Sequence, residues 1–92
     1  MRFDWDSRKA HANLRRHGVS FDEATTVFED GLGRIVSDPR HSTEEDRCVL
    51  LGFSGRNRLL AVMFTERGEA IRIISARRAT RQERRDYEEK AH

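Results

Sequence analysis

The chain has 92 residues, of which 36% are hydrophobic and 37% charged, and its formal net charge is +2. This length allows one domain with a modest core, and the composition lies short of the disordered class. A single cysteine, Cys48, excludes an intrachain disulfide and a thiolate metal site, and its apolar surroundings predict a small core residue. No segment reaches the roughly 20 apolar residues of a membrane span, and the N-terminus lacks a signal-peptide pattern, so we expect a cytoplasmic protein without membrane contact.

The N-terminal third predicts one short strand and a first helix. Phe3 and Trp5 alternate with polar residues, which is typical of a strand with its aromatic side chains inward. Asp6 then offers an N-cap, and Gly18 offers a left-handed C-terminal residue. We therefore predict a first helix over Ser7–His17.

A second helix follows at once. Ser20 and Glu23 have the spacing of a capping box, in which each side chain bonds the other residue's backbone N–H. The pattern predicts a helix over Phe21–Glu29, ended by the glycines Gly31 and Gly33.

Strand patterns dominate the next half of the chain. Four strands are predicted, over Arg34–Ser37, Cys48–Phe53, Leu59–Thr65 and Ala70–Ala76, with a polar loop from Asp38 to Glu45 after the first. Short polar turns join the last three strands, so these are expected to be successive antiparallel neighbours.

A second capping-box pair, Thr80 and Glu83, predicts a last helix over Arg81–Lys90. The fold class is therefore α+β, with the order β-α-α-β-β-β-β-α in one domain over residues 1–92. An antiparallel sheet would be packed by the N-terminal helices and the C-terminal helix. Runs such as Leu59–Phe64 lack alternation and predict strands covered on both faces. The N-terminal helices can cover one face; the second needs the last helix, a protein partner, or both.

Charge is distributed unevenly along the chain. Residues 20–46 hold eight acidic side chains against two arginines, whereas residues 67–85 hold seven arginines against two glutamates. This asymmetry indicates one acidic and one basic face, although both can also be ordinary solvated surface. Arginines at a strand-to-helix junction suit phosphate, which makes a nucleic acid the first ligand to test.

The sequence motifs give little support for a metal site or for acyl-transfer catalysis. The four histidines, His11, His17, His41 and His92, show no paired metal-ligand spacing. Ser54 and Ser75 lack the context of a nucleophile elbow. We therefore predict neither a metal nor another cofactor.

Cleavage of RNA needs no cofactor, because the 2′-hydroxyl is an internal nucleophile. The protein then supplies position, cationic stabilisation and proton transfer. Arg72, Arg77 and Arg81 are candidates for a cationic clamp. Arg72 stands out, because an arginine inside an apolar strand is costly unless it is paired or faces a cleft.

Two residues of the first helix have alternative interpretations. His17 lies in the last turn, where the helix dipole favours its protonated form, so it is either a general acid–base group or an ordinary C-terminal histidine. Lys9 either faces a phosphate or is solvated. Asn13 is expected to hold a loop by hydrogen bonds rather than to act in catalysis.

A series of motifs runs in a fixed order along nearly the whole chain: Phe3-x-Trp5-Asp6-x-x-Lys9, Asn13-Leu14-x-x-His17-Gly18-Val19-Ser20-Phe21-x-Glu23-Ala24, Asp38-Pro39, Glu45-x-Arg47, Gly52-Phe53-Ser54, Thr65-Glu66-Arg67-Gly68, and the run from Arg72-Ile73-Ile74-Ser75-Ala76-Arg77 through Ala79-Thr80 and Glu83-Arg84 to Tyr87-Glu88. In these motifs the chain resembles a known family, the BrnT-type toxins of bacterial type II toxin–antitoxin systems. One departure is Arg78, where lysine is more usual; the charge is kept.

The resemblance implies a RelE-like ribonuclease toxin that inhibits translation. It also implies neutralisation by a BrnA-type ribbon-helix-helix antitoxin, and binding of promoter DNA by the complex. Matching motifs imply catalytic roles for Lys9, His17, Arg67, Arg72 and Arg77. We assign RNA binding to Arg78, Arg81 and Arg84. The competing hypothesis is a non-enzymatic nucleic-acid-binding or protein-interaction module, such as a corepressor subunit, which would bind without cleaving.

Overall fold

A computed structural model describes residues 1–37 and 47–90. Within them the chain forms, in order, β1 (Arg2–Asp4), α1 (Ser7–His17), α2 (Phe21–Thr26), a 3-10 turn (Val27–Glu29), β2 (Arg34–Ser37), β3 (Arg47–Phe53), β4 (Leu59–Arg67), β5 (Ala70–Arg78) and α3 (Arg81–Lys90). The predicted loop from Asp38 to Glu45, with His41, lies outside the described residues, as does His92.

Five strands form one mixed sheet in the order β1-β5-β4-β3-β2. Neighbours from β2 to β5 are antiparallel. For β3, β4 and β5 this confirms the prediction made from their short turns. The prediction of a wholly antiparallel sheet is wrong at β1, which pairs parallel to β5 with Phe3 opposite Ile71. A tight turn fixes direction only between strands that follow one another. Since β1 and β5 are joined through the rest of the fold, no local signal fixes their relative direction.

Each face of the sheet carries a core, as the lack of alternation predicted. On the first, which we call the α1 face, side chains from α1, α2 and their connections pack on the strands; its buried members include Val19, Phe21, Ala24, Val27, Leu60, Val62, Phe64 and Ile73. On the second, the α3 face, Tyr87 of α3 packs on Val49, Leu51, Leu59 and Ala61. Helices of the chain therefore cover both faces of the sheet. On the α3 face, α3 covers the end at which β4 begins.

The ends of α1 match the sequence signals. Asp6 Oδ1 accepts hydrogen bonds from the N–H groups of Arg8, at 2.8 Å, and Lys9, at 3.1 Å. Gly18 has φ 68° and donates its N–H to Leu14 O at 2.9 Å. The first helix therefore has the predicted bounds.

The second helix is shorter than predicted, and its capping box is only half formed. Ser20 Oγ accepts the N–H of Glu23 at 3.0 Å, but the Glu23 side chain points into the protein and bonds Ser54 and Arg58 instead. The α-helix ends at Thr26 and continues as the 3-10 turn.

Asn13 joins α1 to the sheet. Its buried side-chain amide donates to Val19 O at 2.9 Å and to Ala76 O at 2.8 Å, and its Oδ1 accepts the Ala76 N–H at 3.1 Å. The pairing of β1 with β5 ends at Arg72. Further along β5, the Asn13 side chain provides hydrogen-bond partners for the backbone N–H and C=O of Ala76. The structural role expected for Asn13 is confirmed.

Tyr87 attaches α3 to the rest of the protein. Its ring packs edge-on against Phe53, and its hydroxyl donates to Asp30 Oδ2 at 2.8 Å. Burial and this bond raise the pKa of Tyr87 to about 12, so the hydroxyl stays a donor at neutral pH. Burial alone would raise the pKa of Asp30, but bonds from the N–H groups of Phe53 and Leu32 and from Tyr87 bring it below its usual value.

The Tyr87→Phe variant is expected to lower the free energy of unfolding by about 1–2 kcal/mol, since it loses one hydrogen bond to a charged group but keeps the packed ring. Tyr87→Ala, which also removes the ring, should cost about 3–5 kcal/mol. Urea unfolding at neutral pH measures both. Wild-type stability of Tyr87→Phe would mean that the hydroxyl contributes nothing, and equal losses for the two variants would mean that the ring contributes nothing.

Candidate functional site

One end of the α3 face is basic. Three residues lie opposite one another on neighbouring strands, Arg47 of β3, Thr65 of β4 and Arg72 of β5. With strands about 4.8 Å apart, the Cα atoms of the two arginines are about 10 Å from each other. Arg67 lies two residues beyond Thr65, so its side chain leaves the same face. We call Arg47, Thr65, Arg67 and Arg72 the basic end.

Arg72 is paired, as its position in an apolar strand predicted. Its Nη1 donates to Asp4 Oδ1 of β1 at 2.8 Å, and the Arg72 side chain is 32% exposed. Since only one nitrogen makes this bond and the Asp4 side chain is 46% exposed, the guanidinium keeps donors for a phosphate.

Thr65 sits buried between the two arginines. Its residue exposure is 6%, and its Oγ1 has no hydrogen-bond partner among the described residues. A buried hydroxyl without a partner costs free energy, so such groups often mark sites where another molecule supplies the partner.

A β-bulge brings Arg77 onto the same face. Arg72 and Arg77 are five residues apart, and in a regular strand they would point to opposite faces. The register of β4 with β5 shifts between Met63 and Phe64, so that Arg77 lies opposite Ala61. There it forms a bidentate pair with Glu83, at 2.7 and 3.0 Å.

This pair fixes the start of α3. Glu83 also accepts the N–H of Thr80 at 2.9 Å, while Thr80 Oγ1 accepts the N–H of Glu83 at 3.1 Å, which completes the predicted capping box. The hydrogen bond from Arg77 is the main reason that the pKa of Glu83 lies below its usual value. Arg77 therefore anchors the helix next to the basic end.

The other two predicted catalytic residues do not join the basic end. Lys9 and His17 are exposed on α1, which packs on the opposite face of the sheet. His17 lies toward the far end of β5, because the carbonyl of its neighbour Gly18 accepts a bond from Arg58 at 3.0 Å.

Two of the predicted RNA-binding arginines meet in a second place. A cleft of about 280 Å³, which we call the hairpin cleft, lies between the β3–β4 turn, the end of β5 and α3; its lining residues are Asn57, Arg58, Leu59, Arg78, Ala79 and Arg84. Arg81 is exposed on the first turn of α3 and is not among them.

Glu23 is a buried carboxylate that fixes one wall of this cleft. Its side chain is 3% exposed and accepts bonds from Arg58, through two nitrogens, and from Ser54 Oγ at 2.7 Å. The Arg58 bond is the main reason that the pKa of Glu23 is lowered, against the effect of burial, and it raises the pKa of Arg58. Sequence analysis assigned Glu23 to helix capping and missed this role, since its partners lie more than 30 residues away.

Arg47 and Thr65 were also missed as site residues. Arg47 immediately precedes an apolar run, and the short turn before Ala70 could have placed Thr65 opposite Arg72. That turn has Gly68 at φ 59°, which suits a two-residue hairpin. Residue pairs counted from this turn place Arg67 opposite Ala70 and Thr65 opposite Arg72.

In the described part of the chain, no three His, Cys, Asp or Glu side chains are grouped so that they could hold a metal ion. None of its helices is both long and apolar enough to cross a membrane.

The comparisons with known proteins agree with one another. The family model for the ribonuclease toxin BrnT of type II toxin–antitoxin systems matches residues 5–83. The 1.1 Å crystal structure of the Brucella abortus ribonuclease toxin BrnT has a similar fold, with a TM-score of 0.68 and 26% identity over 88% of this chain and 99% of that one. No curated protein matches the chain.

Proposed function

We propose, from the premise that this chain belongs to the BrnT family of ribonuclease toxins of type II toxin–antitoxin systems, that its basic end cleaves RNA without a metal ion. The observation that supports this location is the row of Arg47, Thr65 and Arg72 across three strands. Arginine donors on a rigid sheet can hold a phosphate and stabilise the charge that develops on it.

In this proposal the RNA supplies its own nucleophile. The 2′-hydroxyl gives its proton to solvent and attacks the adjacent phosphorus, the 5′-oxygen of the next nucleotide leaves and takes a proton from solvent, and a 2′,3′-cyclic phosphate results. Arg72 binds the non-bridging oxygens of the pentacoordinate state, with Arg67 and Arg47 beside it. The Thr65 hydroxyl, without a partner among the described residues, would bond the substrate.

The remaining predicted site residues take supporting roles. Arg77 holds α3 through Glu83, on the same face of the sheet as the basic end. Lys9 and His17 lie across the sheet from Arg72, so we assign them contacts with RNA outside the cleaved bond rather than proton transfer at it. Arg78, Arg81 and Arg84 are proposed to bind the RNA backbone.

We further propose that the chain is a single RelE-like domain over residues 1–92 that acts in the cytoplasm. Cleavage would inhibit translation, and a BrnA-type ribbon-helix-helix antitoxin would neutralise it. The complex of the two would bind promoter DNA, mainly through the antitoxin. These statements follow from the family resemblance.

Cleavage of RNA by the antitoxin-free protein is expected to proceed at the same rate with and without EDTA, because arginine donors replace a metal ion in the proposed site. Gel analysis of a defined RNA measures the rate, and induced expression should arrest growth. Loss of cleavage in EDTA with recovery in Mg²⁺ would contradict metal independence. Intact RNA bound to folded protein would instead support the non-enzymatic module.

A further inference from the structure

We propose that the hairpin cleft is a second phosphate-binding site, which holds the backbone of the same RNA strand away from the cleaved bond. The inference rests on the proposed function for its ligand, RNA, and adds a separate location.

The charges in the cleft are not balanced by the protein. Other arginines near the site have carboxylate partners: Arg58 has Glu23, Arg77 has Glu83 and Arg72 has Asp4. Nothing in residues 1–37 or 47–90 pairs with the guanidinium of Arg78 or Arg84, and no carboxylate is among the lining residues. Two positive charges therefore face a concave surface, an arrangement that attracts a polyanion.

The walls of the cleft are held in place before any ligand binds. Asn57 has φ 61° in the β3–β4 turn and donates its N–H to Ser54 O at 2.9 Å, while Ala79 donates its N–H to Leu59 O at 3.0 Å. Arg58 is fixed by Glu23, and the capping box fixes the start of α3. The backbone that carries the two arginines is therefore fixed before binding, and the main conformational entropy lost on binding is that of their exposed side chains.

RNA fits this cleft better than an acidic protein segment does. Leu59 is buried and Ala79 is small, so the cleft offers little apolar surface for the anchor residue of a protein partner. Asn57, Arg78 and Arg84 instead present amide and guanidinium groups, which bond phosphate oxygens and stack on bases.

The distance between the basic end and the hairpin cleft sets the length of RNA that can reach both sites. Arg72 and Arg78 lie opposite Thr65 and Leu60, which are five residues apart on β4 and so about 17 Å apart at about 3.4 Å per residue. A stacked strand with about 3.4 Å per nucleotide needs about five nucleotides to span this distance. Short RNAs can therefore occupy the basic end alone, whereas longer ones reach both sites.

The test measures binding of single-stranded oligoribonucleotides to the full chain by fluorescence anisotropy. The probes are 2′-O-methylated so that they cannot be cleaved, and they have about three or about twelve nucleotides, on either side of the calculated span. The test variant is Arg78→Gln/Arg84→Gln. Its control is Arg15→Gln/Arg85→Gln, which removes two exposed arginines, one on α1 and one on α3, that are outside the cleft lining.

The test variant should bind the longer probe roughly tenfold more weakly at low salt, and its slope of log affinity against log salt should fall by about 1.4, the value for two lost phosphate contacts to a single strand. The control should lose clearly less affinity, and binding of the short probe should not differ between the two variants. Equal affinity and slope in the two variants with the longer probe would overturn the proposal, as would unchanged RNA binding with lost antitoxin binding. Cleavage of unmodified RNA by the wild type is measured in parallel, so a failure of the proposed ribonuclease function is seen separately.

Discussion

Arg72→Ala is expected to slow RNA cleavage by about 10²- to 10³-fold, the usual effect of removing one donor that stabilises developing charge. The residue is half-buried on the α3 face, and its only described partner is the exposed Asp4, so the fold should survive. Single-turnover cleavage of a defined RNA gives the rate, and circular dichroism with thermal unfolding verifies that the variant is folded.

Asp4→Asn is the matched control for this prediction. It breaks the same ion pair but leaves the guanidinium in place, so cleavage should stay near the wild-type rate. If both variants lost activity equally, Arg72 would act by joining β1 to β5 rather than by contacting the phosphate. Wild-type cleavage by folded Arg72→Ala would remove the basic end from the mechanism.

Glu23→Ala is expected to have a large effect on stability, a decrease of about 3–5 kcal/mol in the free energy of unfolding. This is the typical result of removing one partner of a buried ion pair. The variant leaves Arg58, whose side chain is only 21% exposed, without its carboxylate and removes the acceptor of Ser54. Asp22→Asn, an exposed change on the same helix, should have little effect. Urea unfolding of the two variants makes the comparison, and similar stabilities would show that the buried pair contributes nothing.

The same network predicts how stability depends on pH. The folded-state pKa of Glu23 lies below its usual value of 4.5, and those of Glu83 and Asp30 are also lowered. Each carboxylate therefore contributes stability that is complete above its unfolded-state pKa and is lost as the pH falls through the lower folded-state value. Glu23→Gln should reduce this loss at acidic pH, which unfolding measured at several pH values would reveal.

Local signals predicted the parts of the fold that depend on neighbouring residues. Asp6 and Gly18 gave the bounds of α1, and short turns gave the antiparallel order of β3 to β5. Two features depend on distant contacts and had no such signal. The direction of β1 is set by its packing beside the last strand, and the Glu23 side chain is held by Ser54 and Arg58, more than 30 residues away.

The site was predicted only in part, for a geometric reason. Arg72 was recognised because a charge inside an apolar strand needs a partner, and this is what Asp4 provides. The position of Arg77 depends on a one-residue bulge, which no pattern in the sequence indicates. The basic junction that looked continuous in sequence is therefore divided in space. Arg72 and Arg77 lie on the α3 face, whereas Arg78 and Arg84 line the hairpin cleft.

The pairing of β1 with β5 also determines when the proposed RNA site can form during synthesis of the chain. Because β1 lies beside β5, the five-stranded sheet is not complete until the chain has been synthesised through residue 78. Pairing of elements so far apart in sequence is also slow to form, since the loop between them must first be closed. Thr65 and Arg72 already face each other in the β4–β5 hairpin, but Asp4 joins Arg72 only in this last step. A nascent chain that has not yet reached the end of β5 therefore lacks the complete proposed RNA site.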